Sequence, residues 1–490
     1  MKRCAGLVFL VVAWQATAQS SPDDQARRLL EDGRQYLAKG QAKQALDNFT
    51  TITTGFANTE WVDDALLEIG RYYLDVEGNV DKARESFEQV AKRYPQSDSA
   101  PGAYYYLGWL TLTRATKPQE LDDALAQFDR IRTLYPHSDW VPRSFYAAGL
   151  VHRRAGRLPE AVEAERRATL EYPTSEAAAA AQFQVGHCLA LLGEPRQAME
   201  EYQQVRNRYP SSEWAAPALD RITALWRLFG AATPTFTLDA GYSVGSGDVL
   251  KDVRALLMTP ARVLWIASEK TKAAVPIDTS GKLGASFSAE EIRTLSLTPK
   301  GELVVPARTA VRFGPKDIKS FAVPTDKGVP ESLEKITAAA VTQNGNILVA
   351  DEKRNRVCRY DAQFQYQGLF PDAKPHSIVR LLVDGEGGIV MLDDDEKTVR
   401  VYDEAGKLLR TVGGKGANPE LKHPTDVAVD AARNLYISDE EAGVLVVSAN
   451  GKLLTTVSGE ALKRAKALTL DPSGAILAYD DKAQRVVRFQ

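Results

Sequence analysis

The sequence predicts two unlike halves, an α-helical solenoid followed by an all-β six-bladed propeller. Two periods and one change of character carry this reading. A Tyr-Pro-x-Ser phrase recurs as YPQS (94–97), YPHS (135–138), YPTS (172–175) and YPSS (209–212), at intervals of 41, 37 and 37 residues. After AATPT (231–235), helical periodicity fades and short β-rich runs between turns recur every 40 to 46 residues. Fixed periods of this length mark repeat architectures, and 490 residues exceed what one core can organise.

The first 18 residues stand apart. Lys2 and Arg3 precede the apolar run LVFLVVAW (7–14), and Ala16-Thr17-Ala18 supplies small residues for cleavage. This predicts a signal peptide (1–18), with export to the periplasm or beyond. The run is shorter than the ~20 residues a membrane span needs, so the chain is not expected to span a membrane. Cys4 lies before the apolar run rather than at the cleavage site, which argues against a lipid anchor. A formal charge of −3, with no long Lys/Arg run, excludes a concentrated basic surface and hence nucleic acid. Cys188 and Cys358 are expected as buried free thiols, and no metal-binding spacing occurs. No cofactor or metal is therefore expected.

Within residues 19–230 each period has the same grammar. A Gly sits mid-way along an apolar-periodic segment, an Ala follows about 12 residues on, an aromatic four later, and a Pro eight after that. Gly186, Ala198, Tyr202 and Pro210 show it most plainly; Gly108, Ala124, Phe128 and Pro136 carry a longer turn. Gly70, Ala83, Phe87 and Pro95 repeat it, and Gly33, Ala45 and Phe49 lack only the Pro. In the fourth copy Gly149, Ala161 and Pro173 hold, but Glu165 replaces the aromatic. Small residues let paired helices approach, the ring fills the space between them, and Pro ends the second helix. This predicts about five helix pairs and a capping helix, 211–230.

The pattern resembles the tetratricopeptide repeat, and its Tyr-Pro-x-Ser phrasing is similar to periplasmic envelope repeats of the BamD and YbgF/CpoB groups. The resemblance implies an interaction scaffold whose first helices line a concave groove. Counted from each Gly, the groove positions include Arg34, Arg71, Tyr105, Trp109, Tyr146, Phe183 and His187. Aromatics beside Arg are favoured at binding hot spots; inner-wall packing is the alternative for each.

Residues 231–490 carry the second period: TPKGELVVP (298–306), TQNGNILVAD (342–351), DGEGGIVMLD (384–393), DAARNLYISD (430–439) and DPSGAILAYD (471–480), after a degenerate MTPARVLWIAS (258–268). The turn positions align at 261, 301, 345, 387, 433 and 474. Four strands per ~42 residues, six times over, is a propeller pattern. HPTDVAVDAARNLYISD (423–439) resembles the NHL repeat. The last blade stops at Gln490 after three strands, and 233–240 is a spare strand expected to pair with it and close the ring. Gly241-Tyr242-Ser243-Val244-Gly245 fits the G-x-S-x-G elbow of serine hydrolases. No parallel sheet with crossover helices follows, so it is read as a turn.

Some propellers resembling this one are lyases or lactonases with metal ligands at the central mouth. Here the residues near that mouth are Arg254, Glu291, Arg293, Arg380, His423 and Lys466, with His376 one residue out of register. One His and one carboxylate among cations make a poor metal nest. The expectation is an exported, non-enzymatic scaffold binding an envelope protein or peptide. A propeller enzyme with a targeting arm and a cell-wall glycan reader are the alternatives.

Overall fold

The computed structural model describes residues 21–490, apart from 243, 245–246, 316, 326–328, 371–376 and 463–464. The expected signal peptide, Ser243 and His376 lie outside the described residues. Eleven helices among the described residues precede a run of short strands: α1 (Pro22–Ala38), α2 (Ala42–Gly55), α3 (Val62–Asp75), α4 (Val80–Arg93), α5 (Ala100–Arg114), α6 (Pro118–Leu134), α7 (Val141–Arg154), α8 (Leu158–Glu171), α9 (Ala178–Leu191), α10 (Pro195–Arg208) and α11 (Ala215–Phe229). The helical repeats and the six-bladed propeller are both present. The chain forms two compact units, Met1–Ser144 and Phe145–Gln490.

The glycine grammar has a direct steric cause. A Cβ on Gly33 would lie 2.4 Å from the Phe49 ring, on Gly70 2.4 Å from Phe87, on Gly108 2.7 Å from Phe128 and on Gly186 2.9 Å from Tyr202. Each second helix thus presses a ring onto the backbone of its first helix, and only glycine leaves room. On Gly149 the atom met is Cγ of Glu165, at 2.3 Å. The Tyr-Pro-x-Ser phrase is a hydrogen-bonded turn. Tyr94, Tyr135, Tyr172 and Tyr209 cap the preceding helices, and each Tyr carbonyl accepts the Ser N–H three residues on, at 3.0–3.1 Å. Proline at the second position fixes the turn and blocks further helix.

The six blades are antiparallel sheets over residues 253–288, 296–320, 336–369, 378–413, 424–457 and 468–489. A short two-stranded piece, Ala322–Val323 with Glu331–Ser332, lies between the second and third. Residues 237–239 pair antiparallel with the last strand: Thr237 N–H donates to the Gln490 carbonyl at 2.9 Å and Asp239 N–H to the Arg488 carbonyl at 2.8 Å. After them, Gly247–Leu250 forms a 3₁₀ turn and Val253–Met258 a strand, where a nucleophile elbow needs a helix.

Turn chemistry sets the blade period. Asp384, Asp430 and Asp471 each accept backbone N–H bonds from the residues two and four positions on, at 2.7–3.0 Å. The left-handed residue that follows is Gly387, Arg433 or Gly474, with φ of 81°, 63° and 76°. In the first blade the left-handed residue is Arg262 (φ 62°), not Ala261, so the first turn lies one residue later than the sequence alignment places it. The recurring Asp six residues past each turn is structural. Asp439 is buried, accepts N–H bonds from Lys422 and His423 on one oxygen and from Glu441 and Ala442 on the other, and so ties consecutive loops together.

Candidate functional site

In the unit Met1–Ser144, Arg34 and Arg71 project from the first helices of consecutive pairs and are both already engaged. Arg34 Nε donates to Glu68 Oε1 at 2.8 Å and Arg71 Nη1 to Glu68 Oε2 at 3.0 Å, while Arg34 Nη2 reaches Asp64 at 3.1 Å. Glu68 has a buried side chain, so its charge has to be matched in place. The sequence reading named both arginines and missed Glu68, which lies two residues before Gly70. Asp64 is pushed up to about 6 by burial, with Arg34 pulling the other way and Asp98 and Asp63 adding to the rise. The carboxylates of Asp63, Asp64 and Asp98 come within 4.8 Å of one another. Asp63 and Asp64 occupy the first turn of α3, where the helix dipole favours negative charge.

One pair further on, aromatics take over. Tyr105 stacks with Trp109 (centroids 6.3 Å apart, planes at 14°) and also meets Trp140 at 5.2 Å and Phe128 at 5.8 Å. Trp140 fits here because Gly102 has no side chain; a Cβ there would lie 2.9 Å from its ring. The Arg143 guanidinium sits 4.9 Å over Trp140. Tyr105 and Trp109 are half-buried, each keeping a solvent-facing part. Trp140 went unnamed in the sequence reading, although Trp61 and Trp214 occupy the same place before their helices.

In the unit Phe145–Gln490 the predicted groove residues behave differently. Tyr146 is half-buried, and burial, then Glu165, raise its phenol above the usual range. Phe183 is buried against Tyr202 and Trp214, at centroid distances of 5.0 and 4.9 Å. His187 is buried too, with Nε2 2.8 Å from Oε1 of Glu386, which lies in a turn of the fourth blade. Arg153 Nη1 donates to the same oxygen at 2.6 Å. Burial holds His187 below its ordinary value despite the Glu386 hydrogen bond. Burial opposes ionisation of Glu386, but His187 and Arg153 outweigh it and hold the carboxyl low. Further links join α7 and α11 to other blade turns: Arg154 to Asn344 at 2.7 Å, Asp220 to Arg262 at 2.6 Å, and Arg227 to the Ser473 carbonyl at 2.6 Å. His187 therefore lines a contact with the chain's own propeller rather than an open groove, and Phe183 is packed within the helical wall.

The charges that the sequence reading assigns to the propeller mouth are mostly matched. Arg308 reaches Glu291 at 3.0 Å, Arg293 reaches Glu352 at 3.5 Å, Lys466 reaches Asp481 at 2.9 Å, and His423 Nε2 lies 3.4 Å from Glu441. Arg254 is exposed. Arg380 is not at the surface. It is buried on the innermost strand of the fourth blade, with Nε 3.2 Å from Asp426 on the equivalent strand of the fifth. Asp426 also accepts N–H bonds from Val427 and Leu468, so the pair ties three blades.

A helical repeat whose first helices present charge-paired and aromatic walls, joined to a six-bladed propeller, defines a two-module repeat protein. Its helical region matches the family model described as YfiO, outer membrane lipoprotein, over residues 22–144 and 76–232. The helical half is thus a tetratricopeptide-like solenoid similar to that family. No curated protein matches the chain. Solved structures similar to the chain include a streptogramin B lyase (9% identity, covering 53% of this chain and 99% of that one, TM-score 0.39). Two others are a virginiamycin B lyase from Staphylococcus aureus (12%, 50% and 82%, 0.36) and an auxiliary nutrient binding protein from Bacteroides ovatus (15%, 49% and 69%, 0.40). Likeness at this level says nothing about activity. No helix among the described residues is long and apolar enough to cross a membrane.

Proposed function

We propose that the protein is an exported, non-enzymatic scaffold of the cell envelope. It holds a protein or peptide partner on the inner wall of its first three helix pairs and keeps the propeller as a second surface. The observation that carries this reading is the half-buried Tyr105–Trp109 stack, backed by Trp140 and Phe128. Aromatic area held rigid at its base and open at its rim is the material of binding hot spots. The family model over the helical half favours the envelope, and the apolar N-terminal run favours export to the periplasm. Linking two binding modules raises the effective concentration of one partner at the other.

The test is in-cell crosslinking with mass spectrometry, comparing the full chain with a Trp109→Glu variant of unchanged melting temperature. The scaffold reading expects one envelope protein to be captured by the parent and lost in the variant. Equal capture by both sinks it. Divalent metal retained by the purified protein and lost on His423→Ala would instead favour a propeller enzyme.

A further inference from the structure

Helix α11 is packed on two sides and presents an uncharged third. Ala218 and Leu225, with Ile222 and Trp214 beside them, pack against Phe183, Tyr202 and Val205 of the preceding pair. Ala224, Arg227 and Leu228 meet the propeller: Ala224 lies against Gly474, Arg227 holds the Ser473 carbonyl, and Leu228 packs with Tyr436 and Val444. The third side is a stripe of Ala216, Leu219, Thr223, Trp226 and Gly230, spaced 3, 4, 3 and 4, without a charge. Leu219 is 44% exposed and Trp226 64%. An exposed apolar stripe of this kind marks an interaction surface.

The repeat register says what that arrangement is. Leu219, Thr223 and Trp226 occupy the positions held by Leu66, Gly70 and Tyr73 in α3, and by Gln182, Gly186 and Leu189 in α9. In those helices these positions face the second helix of the pair. Gly70 meets Phe87, Tyr73 carries Lys82 over its ring at 4.8 Å, Gln182 donates to Glu201 at 2.5 Å, and Gly186 meets Tyr202. Helix α11 is therefore the first helix of a sixth pair. No second helix follows it, because the chain passes to the closing strand at 237–239.

We infer that this vacated place receives an amphipathic helix of a partner protein, continuing the interface that the five internal pairs already make. Size complementarity is inverted relative to those pairs. Thr223 fills the niche that glycine leaves open elsewhere, so the incoming helix brings a small residue there, and Trp226 supplies the ring from α11. The incoming stripe is uncharged, matching the stripe it covers. This surface is separate from the inner wall of the first three pairs and does not depend on it.

The test places the photo-crosslinking residue p-benzoylphenylalanine at position 219 of the full chain in cells and maps the adduct by mass spectrometry. The expected adduct lies in an amphipathic helix of another protein, with a small residue central in its apolar stripe. Trp226→Lys is expected to lower its yield by about tenfold or more while leaving the melting temperature unchanged, since Trp226 is exposed. Trp109→Glu is expected to leave the adduct intact, which separates failure here from failure of the groove reading. No adduct, an adduct to a second copy of this chain, to lipid or to a non-helical segment, or an adduct indifferent to Trp226→Lys would each overturn the inference.

Discussion

Glu165 occupies the slot that a ring fills in the other four helix pairs, and it is fully buried. Among the described residues its Oε1 has no hydrogen-bond partner, and Oε2 has the Cys188 thiol at 4.0 Å. Arg153, the nearest cation acting on it, is committed to Glu386. Burial accordingly raises the Glu165 carboxyl well above its usual value of 4.5, against the pull of Arg153. A folded pKa above the unfolded one gives stability that is fully present below pH 4.5 and is lost as pH rises toward the folded value. The slope is ~1.4 kcal/mol per pH unit.

Glu165→Gln keeps the shape and removes the titration. The melting-temperature difference between variant and parent is expected to widen in the variant's favour from pH 5 to pH 7. Each pH unit over which the acid stays neutral adds ~1.4 kcal/mol to that difference, at ~1–2 °C per kcal/mol for a unit of more than 250 residues. Calorimetry across that range reads it. His187 titrates with the opposite sign, because its folded pKa is lowered and acid therefore destabilises. That contribution is common to both proteins and cancels in the difference. Glu165→Phe, restoring the ring, is expected to show the same loss of slope. If parent and Glu165→Gln run parallel across the range, Glu165 is ionised in the folded protein and the reasoning is wrong.

Three other perturbations test the frame. Gly70→Ala puts a methyl 2.4 Å from the Phe87 ring and should cost about 1–3 kcal/mol in chemical denaturation; no loss would mean that the ring is free to retreat. Glu386→Ala leaves Arg153 and His187 facing each other without their anion, and should destabilise the unit Phe145–Gln490 by about 3–5 kcal/mol. Loss confined to the first unit would contradict it. Thr237→Pro deletes the N–H that donates to Gln490, so hydrogen exchange should rise across 485–490 while the third blade stays protected.

The periods were legible because each is written by residues acting on their own neighbours. A glycine under a ring, a proline turn and an Asp that caps the turn it starts are local devices, and local devices repeat in sequence. What stayed hidden depends on which repeat meets which. Glu386 occupies an ordinary turn position, DGEGG, and nothing in its own blade distinguishes it; its role arises because α7 and α9 bring Arg153 and His187 to it. Arg380 looked like a mouth cation by register. A signal against that existed, since the opposite charge, Asp426, stands at the equivalent position of the next blade. The misplaced first turn has a simpler cause. The first-blade turn starts at Thr259 rather than at an Asp, and its left-handed residue is Arg262 rather than a glycine, so both cues that mark the other turns were missing there together.

The two ways in which this chain uses arginine on its first helices decide what its open wall can read. Against the fourth blade, Arg153 and His187 take a carboxylate presented by a turn, which is recognition by charge. In the unit Met1–Ser144, Arg34 and Arg71 meet a carboxylate from their own wall, Glu68, and have the least to gain from a visitor's acid. A partner of those pairs is then held mainly by the faces of Tyr105 and Trp109, and the two kinds of residue should separate in experiment. Arg34→Ala leaves Glu68 half-matched, so it should lower the melting temperature and leave capture of the partner near the parent's level. Trp109→Ala should do the reverse. Capture lost with Arg34→Ala at unchanged stability would show that charge does the reading after all, with Glu68 giving way to the partner.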